Sequence, residues 1–276
     1  MAGARYSALR VSAAGGIARV TIDHPPLNLL DAALLDDLDR AGTTLAGDDA
    51  GRVVVVDSAD PEFFIAHADV RGMIGRGDAN AERRARLSRF AAMTEQWRTM
   101  PKATIAVIEG RARGGGSEFA IALDMRFAAR ETAVLGQPEV GLGIPPGGGA
   151  TQRLPRLVGR GRALEIVLGG EDFDADTAER YGWVNRALPA AELRPFVDRL
   201  AARIAAFPAP AIAAAKAAVH AGEPALEDGL LEEHRLLRRA LATPEATAAM
   251  ERFLAAGGQT REHELDLGAR LGPREP

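Results

Sequence analysis

Three short segments of this 276-residue chain break the patterns a plain scaffold would follow, and each could do chemistry. Gly110-Arg-Ala-Arg-Gly-Gly-Gly-Ser-Glu118 links a β-branched run to the apolar stretch Phe119-Ala-Ile-Ala-Leu123. That stretch has no polar face and reads as a buried helix, so Glu118 sits in the first turn of a buried helix. The positive end of the helix favours a carboxylate there, while loss of water penalises its charge. Two opposing perturbations on one carboxyl suit a general base. The triple glycine also leaves backbone N–H groups unobstructed at the helix start, an arrangement that receives anions. Phe63-Phe-Ile-Ala-His-Ala-Asp69 is a small-residue corner after another strand, where open α/β sheets place their ligands. Gly136-Gln-Pro-Glu139 leads into a third glycine-rich loop, residues 141–149.

Several chemistries are excluded by residue type. The chain has no cysteine, which removes disulfides, thiolate metal sites and a thiol nucleophile. It has no Gly-Lys pair, so a phosphate-binding Walker loop is absent, and the triple glycine lacks the third position of the dinucleotide fingerprint. Ser117 resembles a nucleophile elbow until Phe119 stands where glycine is required. The five histidines, His24, His67, His220, His234 and His263, show no ligand spacing, so no metal is expected. Lys plus Arg is 34 against 38 Asp plus Glu, for a net charge of −4, which disfavours general nucleic-acid binding. Only Lys102 and Lys216 are lysines, so arginine is used throughout and a single Arg carries little weight.

The elements that must position these segments follow from periodicity. With 47% hydrophobic and 26% charged residues, the chain has an ordinary globular composition. Its length lets it bury roughly three quarters of the surface it exposes when unfolded. Ile17-Ala-Arg-Val-Thr-Ile22 alternates as a half-buried strand, and Arg52-Val-Val-Val-Val-Asp57 reads as a strand covered on both faces. Residues 103–108, 125–129 and 133–135 are further strands. Residues 31–45 form a helix with an acidic start and an apolar stripe. Residues 82–98 read as a helix whose Arg83-Arg-Ala-Arg86 is a solvated face rather than a nucleic-acid patch. After Asp174 the chain reads as helix alone, over 190–207, 211–221, 225–242 and 244–256, with a loose tail from 265 to 276. Strand–helix alternation followed by helices predicts an α/β core with a helical last third. Without an apolar leader or a membrane-length apolar run, the expectation is a cytoplasmic protein with no membrane partner.

Taken together, the three segments resemble the enoyl-CoA hydratase/isomerase (crotonase) superfamily, over about residues 10 to 257. His24-Pro-Pro-Leu-Asn28 is similar to its Pro-x-x-Asn loop and Ala66-His-Ala-Asp69 to its Ala-Gly-x-Asp corner. Residues 109–118, Gly136-Gln-Pro-Glu139 and Gly147-Gly-Gly-Ala-Thr-Gln-Arg-Leu154 follow in family order. The resemblance implies a crotonase-like spiral of ββα repeats over residues 1–200, with the active site. Residues 201–276 would then be a helical trimerisation region and tail, in a homo-oligomer that is a trimer or dimer of trimers. It implies an acyl-CoA thioester substrate passing through an enolate, with no cofactor beyond the CoA of the substrate.

By motif match, the backbone N–H groups of Ala68 and Gly115 would form the oxyanion hole, and Glu118 and Glu139 would manage a water. Ala66, His67, Asp69, Val70, Gly114 and Pro138 would contact the substrate and its CoA arm. Glutamate at both positions points to hydration of a trans-2-enoyl-CoA. An isomerase or other enolate-forming enzyme is the alternative, and a non-catalytic acyl-CoA-binding oligomer is a third.

Three departures bear on the substrate. His67 stands where the family has glycine; either its imidazole points away from an unchanged backbone, or it lines the CoA channel and tilts the Ala68 N–H. If the position needs positive φ, histidine would be strained there. Glu109 replaces the usual Asn, and Arg113 replaces an apolar residue and either selects a polar acyl group or pairs with an acid. Arg71, or an arginine of a neighbouring subunit, would hold the nucleotide end.

Overall fold

In a computed structural model describing residues 5–82, 86–222 and 226–271, the N-terminal half is laid down as strand pairs shared between two sheets. The hairpin β1 (Leu9–Ala14) and β2 (Ile17–Ile22) leads into α1 (Ala32–Ala46). Asp31 caps α1 by accepting the Leu34 N–H at 3.0 Å, and Leu34, Leu38, Ala41 and Leu45 form its buried stripe. Next come β3 (Val53–Ser58) and β4 (Phe63–Ile65), then α2 (Arg89–Thr99). The pattern repeats as β5 (Ala103–Ile108), β6 (Arg111–Arg113) and α3 (Gly115–Ala122). It repeats again as β7 (Met125–Ala129), β8 (Val134–Gly136), a 3-10 turn (Pro138–Leu142) and α4 (Ala150–Val158). The remaining elements are α5 (Arg160–Gly169), β9 (Asp172–Asp174), α6 (Ala175–Tyr181), β10 (Arg186–Leu188), α7 (Ala190–Ala205), α8 (Ala209–Ala221), α9 (Glu227–Leu241), α10 (Pro244–Ala255), α11 (Arg261–Glu264) and α12 (Leu267–Leu271).

Strands β1 and β2, the first strand of each later pair and β10 form a six-stranded sheet of order β1-β2-β3-β5-β7-β10, and the second strand of each later pair joins β9 in a four-stranded sheet of order β4-β6-β8-β9. Pairing is parallel except at β1–β2 and β8–β9. Each ββα unit after the opening hairpin therefore advances both sheets by one strand, which is the spiral that the family resemblance implied. The valines of β3 are fully buried on both faces, as its β-branched run predicted. Val54 and Val56 face the main core, while Val53 and Val55 pack against Leu193, Val197 and Ala201 of α7. Each such side chain contributes about 1.5–3 kcal/mol of burial.

The helix carrying Glu118 is fixed from both ends. Trp97 of α2 packs edge-on against Phe119 at 5.3 Å and donates its indole N–H to Leu38 O at 3.0 Å. At the other end, buried Arg126 donates to Leu123 O at 2.7 Å and to Trp183 O at 2.9 Å. Burial draws its guanidinium down to about 10, against the pull of Asp124.

Three expectations are corrected. The chain does not end its strands at Asp174, because Arg186–Leu188 pairs in parallel with β7. Three residues are too few to show a period, and the exposed edge of β7 supplies the partner. The stretch after 265 is no loose tail as far as the described residues go, since α12 buries Leu267 against Val70 and Phe253. The helix predicted from 82 begins only at Arg89, where Ser88 accepts the Ala91 N–H at 3.2 Å. Residues 83–85, with most of the arginine cluster, and residues 272–276 lie outside the described residues.

Helix α8 has no buried residue, and its Val219 is 70% exposed. Among the described residues, no single helix is long and apolar enough to cross a membrane.

Candidate active site

Strands β4 and β6 are neighbours in the small sheet, so the loops leaving them meet. Asn28 holds β4 against the end of β3: its amide donates to Ser58 Oγ at 2.8 Å, Phe63 O at 3.0 Å and Phe64 O at 3.2 Å. It does so from a left-handed backbone, φ 51°. The Leu30 N–H donates to His67 O at 2.9 Å and the Asp69 N–H to Leu30 O at 3.1 Å, which seats Ala68 opposite Leu30. After β6, Gly114 turns the chain at φ 47°, ψ −124°, a conformation for glycine, and donates its N–H to Gly136 O at 3.0 Å. A Cβ placed on Gly115 would lie 3.6 Å from Ala68 N, so the two corners face one another. Among the described residues, neither the Ala68 nor the Gly115 N–H is engaged by another hydrogen bond.

The corners open on a cavity of about 470 Å³ whose wall includes His67, Ala68, Asp69, Val70, Gly115, Glu118, Pro138 and Glu139. Leu30, Met73, Phe90, Leu142 and Phe253 make much of the rest apolar. Ala66 and Gly114 are not in that wall. Ala66 is fully buried against Leu27 and Phe63, and a Cβ on Gly114 would lie 2.8 Å from Glu139 Oε1 and 3.5 Å from His67 Cβ. Among the described residues, no group of three or more acidic or histidine side chains is arranged to hold a metal ion.

The two glutamates meet different environments. Glu118 is 3% exposed, and its Oε1 accepts the Gly148 N–H at 2.7 Å and the Ala150 N–H at 3.0 Å. Burial raises its proton affinity above the ordinary carboxyl range, while those N–H groups and Arg153 restrain the rise. Glu139 follows Pro138 in the 3-10 turn. Burial, then the charge of Glu118, pushes it well above the ordinary range, with Glu233 adding to the effect. The Gln137 amide, oriented to satisfy both its ends, donates to Glu139 Oε2 at 3.0 Å and accepts from Ser117 Oγ at 3.2 Å. The carboxyls form an interacting set and titrate together.

Glu233 of α9 is the residue that sequence reasoning missed. It is buried at 3% exposure and accepts the Gly149 N–H at 2.7 Å, the Thr151 N–H at 3.0 Å and the Thr151 hydroxyl. Burial and the nearby Glu118 push it up to about 8. Glu118 and Glu233 thus grip alternate N–H groups of one glycine loop, and Arg153 ties its carbonyl at Gly148 O, 2.9 Å away. The available signal was position: Glu233 shares the face of Leu230 and Leu237 at helical spacing, where a polar residue is out of place.

Two of the departures resolve. Arg113 is 1% exposed and pairs with Asp172 at 2.6 Å, so it is an internal tie and not a selector of acyl groups. His67 does not have positive φ, and it does not point away. Its ring lines the cavity and packs edge-on against Phe253 at 5.7 Å, with Nε2 3.2 Å from Glu264 Oε2. Arg71 donates to Gln259 Oε1 at 2.9 Å. Glu109, the third departure, is paired with Arg194.

A probable enoyl-CoA hydratase of Rhizobium meliloti is 37% identical to this chain over 254 residues, 91% of this chain and 96% of the relative. The probable enoyl-CoA hydratase echA8 of Mycobacterium bovis is 35% identical over 252 residues, 90% of this chain and 95% of the relative. The crystal structure of a candidate enoyl-CoA hydratase from Streptomyces avermitilis superposes with a TM-score of 0.89 at 46% identity, covering 97% of this chain and 98% of that one. Enoyl-CoA hydratase/isomerase is also the family whose profile matches residues 12–259. With that match spanning most of its length, the chain belongs to the enoyl-CoA hydratase/isomerase family.

Proposed function

We propose that the protein hydrates a trans-2-enoyl-CoA thioester. The observation that carries this reading is a pair of carboxyls, buried Glu118 and half-buried Glu139, held in unlike environments on the wall of one cavity beside two facing N–H groups. The thioester oxygen sits between the N–H groups of Ala68 and Gly115, and negative charge grows there as water adds. Each such donor stabilises the developing oxyanion by about 3–4 kcal/mol. Glu118, with its charge supported by two N–H groups, takes the proton of the water as the water oxygen bonds to Cβ. Glu139, whose charge is disfavoured, carries a proton and delivers it to Cα. Water is thereby added across the double bond with no redox partner, and the proton left on Glu118 returns to Glu139 through solvent exchange before the next turnover. His67, Asp69, Val70 and Pro138 contact the thioester arm, with Ala66 and Gly114 behind them.

A second reading, double-bond isomerisation, is favoured by the two N–H groups that already occupy Glu118 Oε1. Glu139 would then carry the proton alone. Crotonyl-CoA turnover by Glu118→Gln and Glu139→Gln separates the two. Hydration predicts a fall of about 100-fold or more in both variants with binding retained. A near-wild-type rate in Glu118→Gln alone supports isomerisation, and in Glu139→Gln it rejects both readings. The exposed apolar face of α8 supports a homo-oligomer, a trimer or a dimer of trimers.

A further inference from the structure

The segment after α10 touches both corners of the site at once. Glu264 is fully buried. Its Oε1 accepts the Gln259 N–H at 2.7 Å, and its Oε2 lies 3.2 Å from His67 Nε2. Its main-chain carbonyl accepts Arg113 Nη1 at 2.8 Å, and the next carbonyl, of Leu265, accepts Arg111 Nη2 at 2.8 Å. One residue therefore reaches, through its side chain, the residue before Ala68 and, through its backbone, the strand that ends just before Gly114 and Gly115. Gln259 adds a second tie, donating to Asp69 Oδ1 at 2.9 Å.

The chemistry of His67 completes the link. Its Nδ1 is 2.8 Å from Ala68 O, an atom that can only accept, so Nδ1 carries a proton. Its Nε2 faces the carboxylate of Glu264. Burial pushes Glu264 up, but His67 and the Gln259 N–H outweigh it and hold the carboxyl below its usual range. The ring thus spans the Glu264 carboxyl on one side and, on the other, the turn that aims the Ala68 N–H. The two N–H donors belong to loops leaving the neighbouring strands β4 and β6, and among the described residues no hydrogen bond joins the two loops directly. A tie to a third segment adds to the strand pairing.

Resting on the hydratase reading, we infer that Glu264 and His67 are positioning residues that set the aim and spacing of the Ala68 and Gly115 N–H groups. Neither exchanges a proton with substrate.

The test uses 4-(dimethylamino)cinnamoyl-CoA, whose absorption moves to longer wavelength as its carbonyl is polarised, together with crotonyl-CoA kinetics on the full chain. The wild type is expected to red-shift the bound probe, and failure to do so rejects the oxyanion reading itself. Glu264→Gln keeps the shape and an oxygen for the Gln259 N–H but removes the charge. It is expected to lose at least about half the red shift and about 10- to 100-fold in kcat, less than deletion of a whole donor, with KM within about threefold. His67→Asn removes the same contact from the other side and carries the same expectation should Glu264→Gln fold poorly. The double variant is expected to fall no further than either single one. A role confined to stability would reduce the active fraction and leave the spectrum per bound site unchanged. A wild-type red shift retained in full by both variants overturns the inference and leaves the hydratase reading standing.

Discussion

Gly114→Ala tests the site at the point where backbone geometry and carboxylate placement meet. An alanine at φ 47°, ψ −124° is strained by about 1–3 kcal/mol. Its Cβ would also lie 2.8 Å from Glu139 Oε1, so the carboxyl must retreat about 0.6 Å to reach ordinary contact at 3.4 Å. Misplacement of a reacting group by about 1 Å costs ~100-fold in rate, so kcat for crotonyl-CoA is expected to fall about 10- to 100-fold. The melting temperature is expected to fall by about 2–12 °C, at roughly 2–4 °C per kcal/mol for a chain of this size class. Gly116→Ala provides the contrast. There the Cβ would meet Ile65 O at 2.4 Å and Ile65 Cβ at 2.7 Å, and the backbone of β4 must give way. Its expected loss is mainly in stability, about 3 kcal/mol or more, read by denaturant titration. A Gly114→Ala enzyme that retains kcat within about threefold would refute the placement of Glu139 at the reacting atoms.

Glu233→Gln removes a charge that raises Glu139. Without it Glu139 ionises at lower pH, so the limb of the pH–rate profile that reports Glu139 moves to lower pH. The separation from wild type is widest above about 8, where Glu233 itself ionises; superimposable profiles would defeat this account. Asp37→Asn perturbs stability instead. Asp37 accepts the Ser7 N–H at 2.6 Å and the Ala8 N–H at 2.8 Å and pairs with Arg40, and these contacts outweigh burial to hold it below the ordinary range. A carboxyl with a depressed folded-state pKa contributes stability above its unfolded value and loses it as pH falls through the folded one. The variant is expected to be about 2–3 kcal/mol less stable near pH 7, with the gap closing in acid, by urea titration at both pH values.

Several elements long enough to show a period were legible in the chain itself, although β1, α4 and α5 were not read from it. The β-branched run of β3, the stripe of α1 and the all-apolar helix behind Glu118 follow from side-chain spacing, because neighbours two to four residues apart decide them. The three segments singled out in the chain contain Glu118, Glu139 and both corners, and the family resemblance supplied the roles expected of them. The three-residue strands β6, β9 and β10 were not legible, since their conformation is imposed by pairing partners and not by their own residues. The direction of the His67 ring and the burial of Glu233 and Glu264 belong to the same class. Proton affinity shows the limit most directly. The groups that tune Glu118 are N–H donors 30 and 32 residues away, and Glu233 takes its N–H from a loop 84 residues away. Residue type and local spacing therefore determined which groups could react. The folded packing alone decided which of them lost water, which shared a charge and how the two corners were aimed, because those quantities depend on atoms that are neighbours only in space.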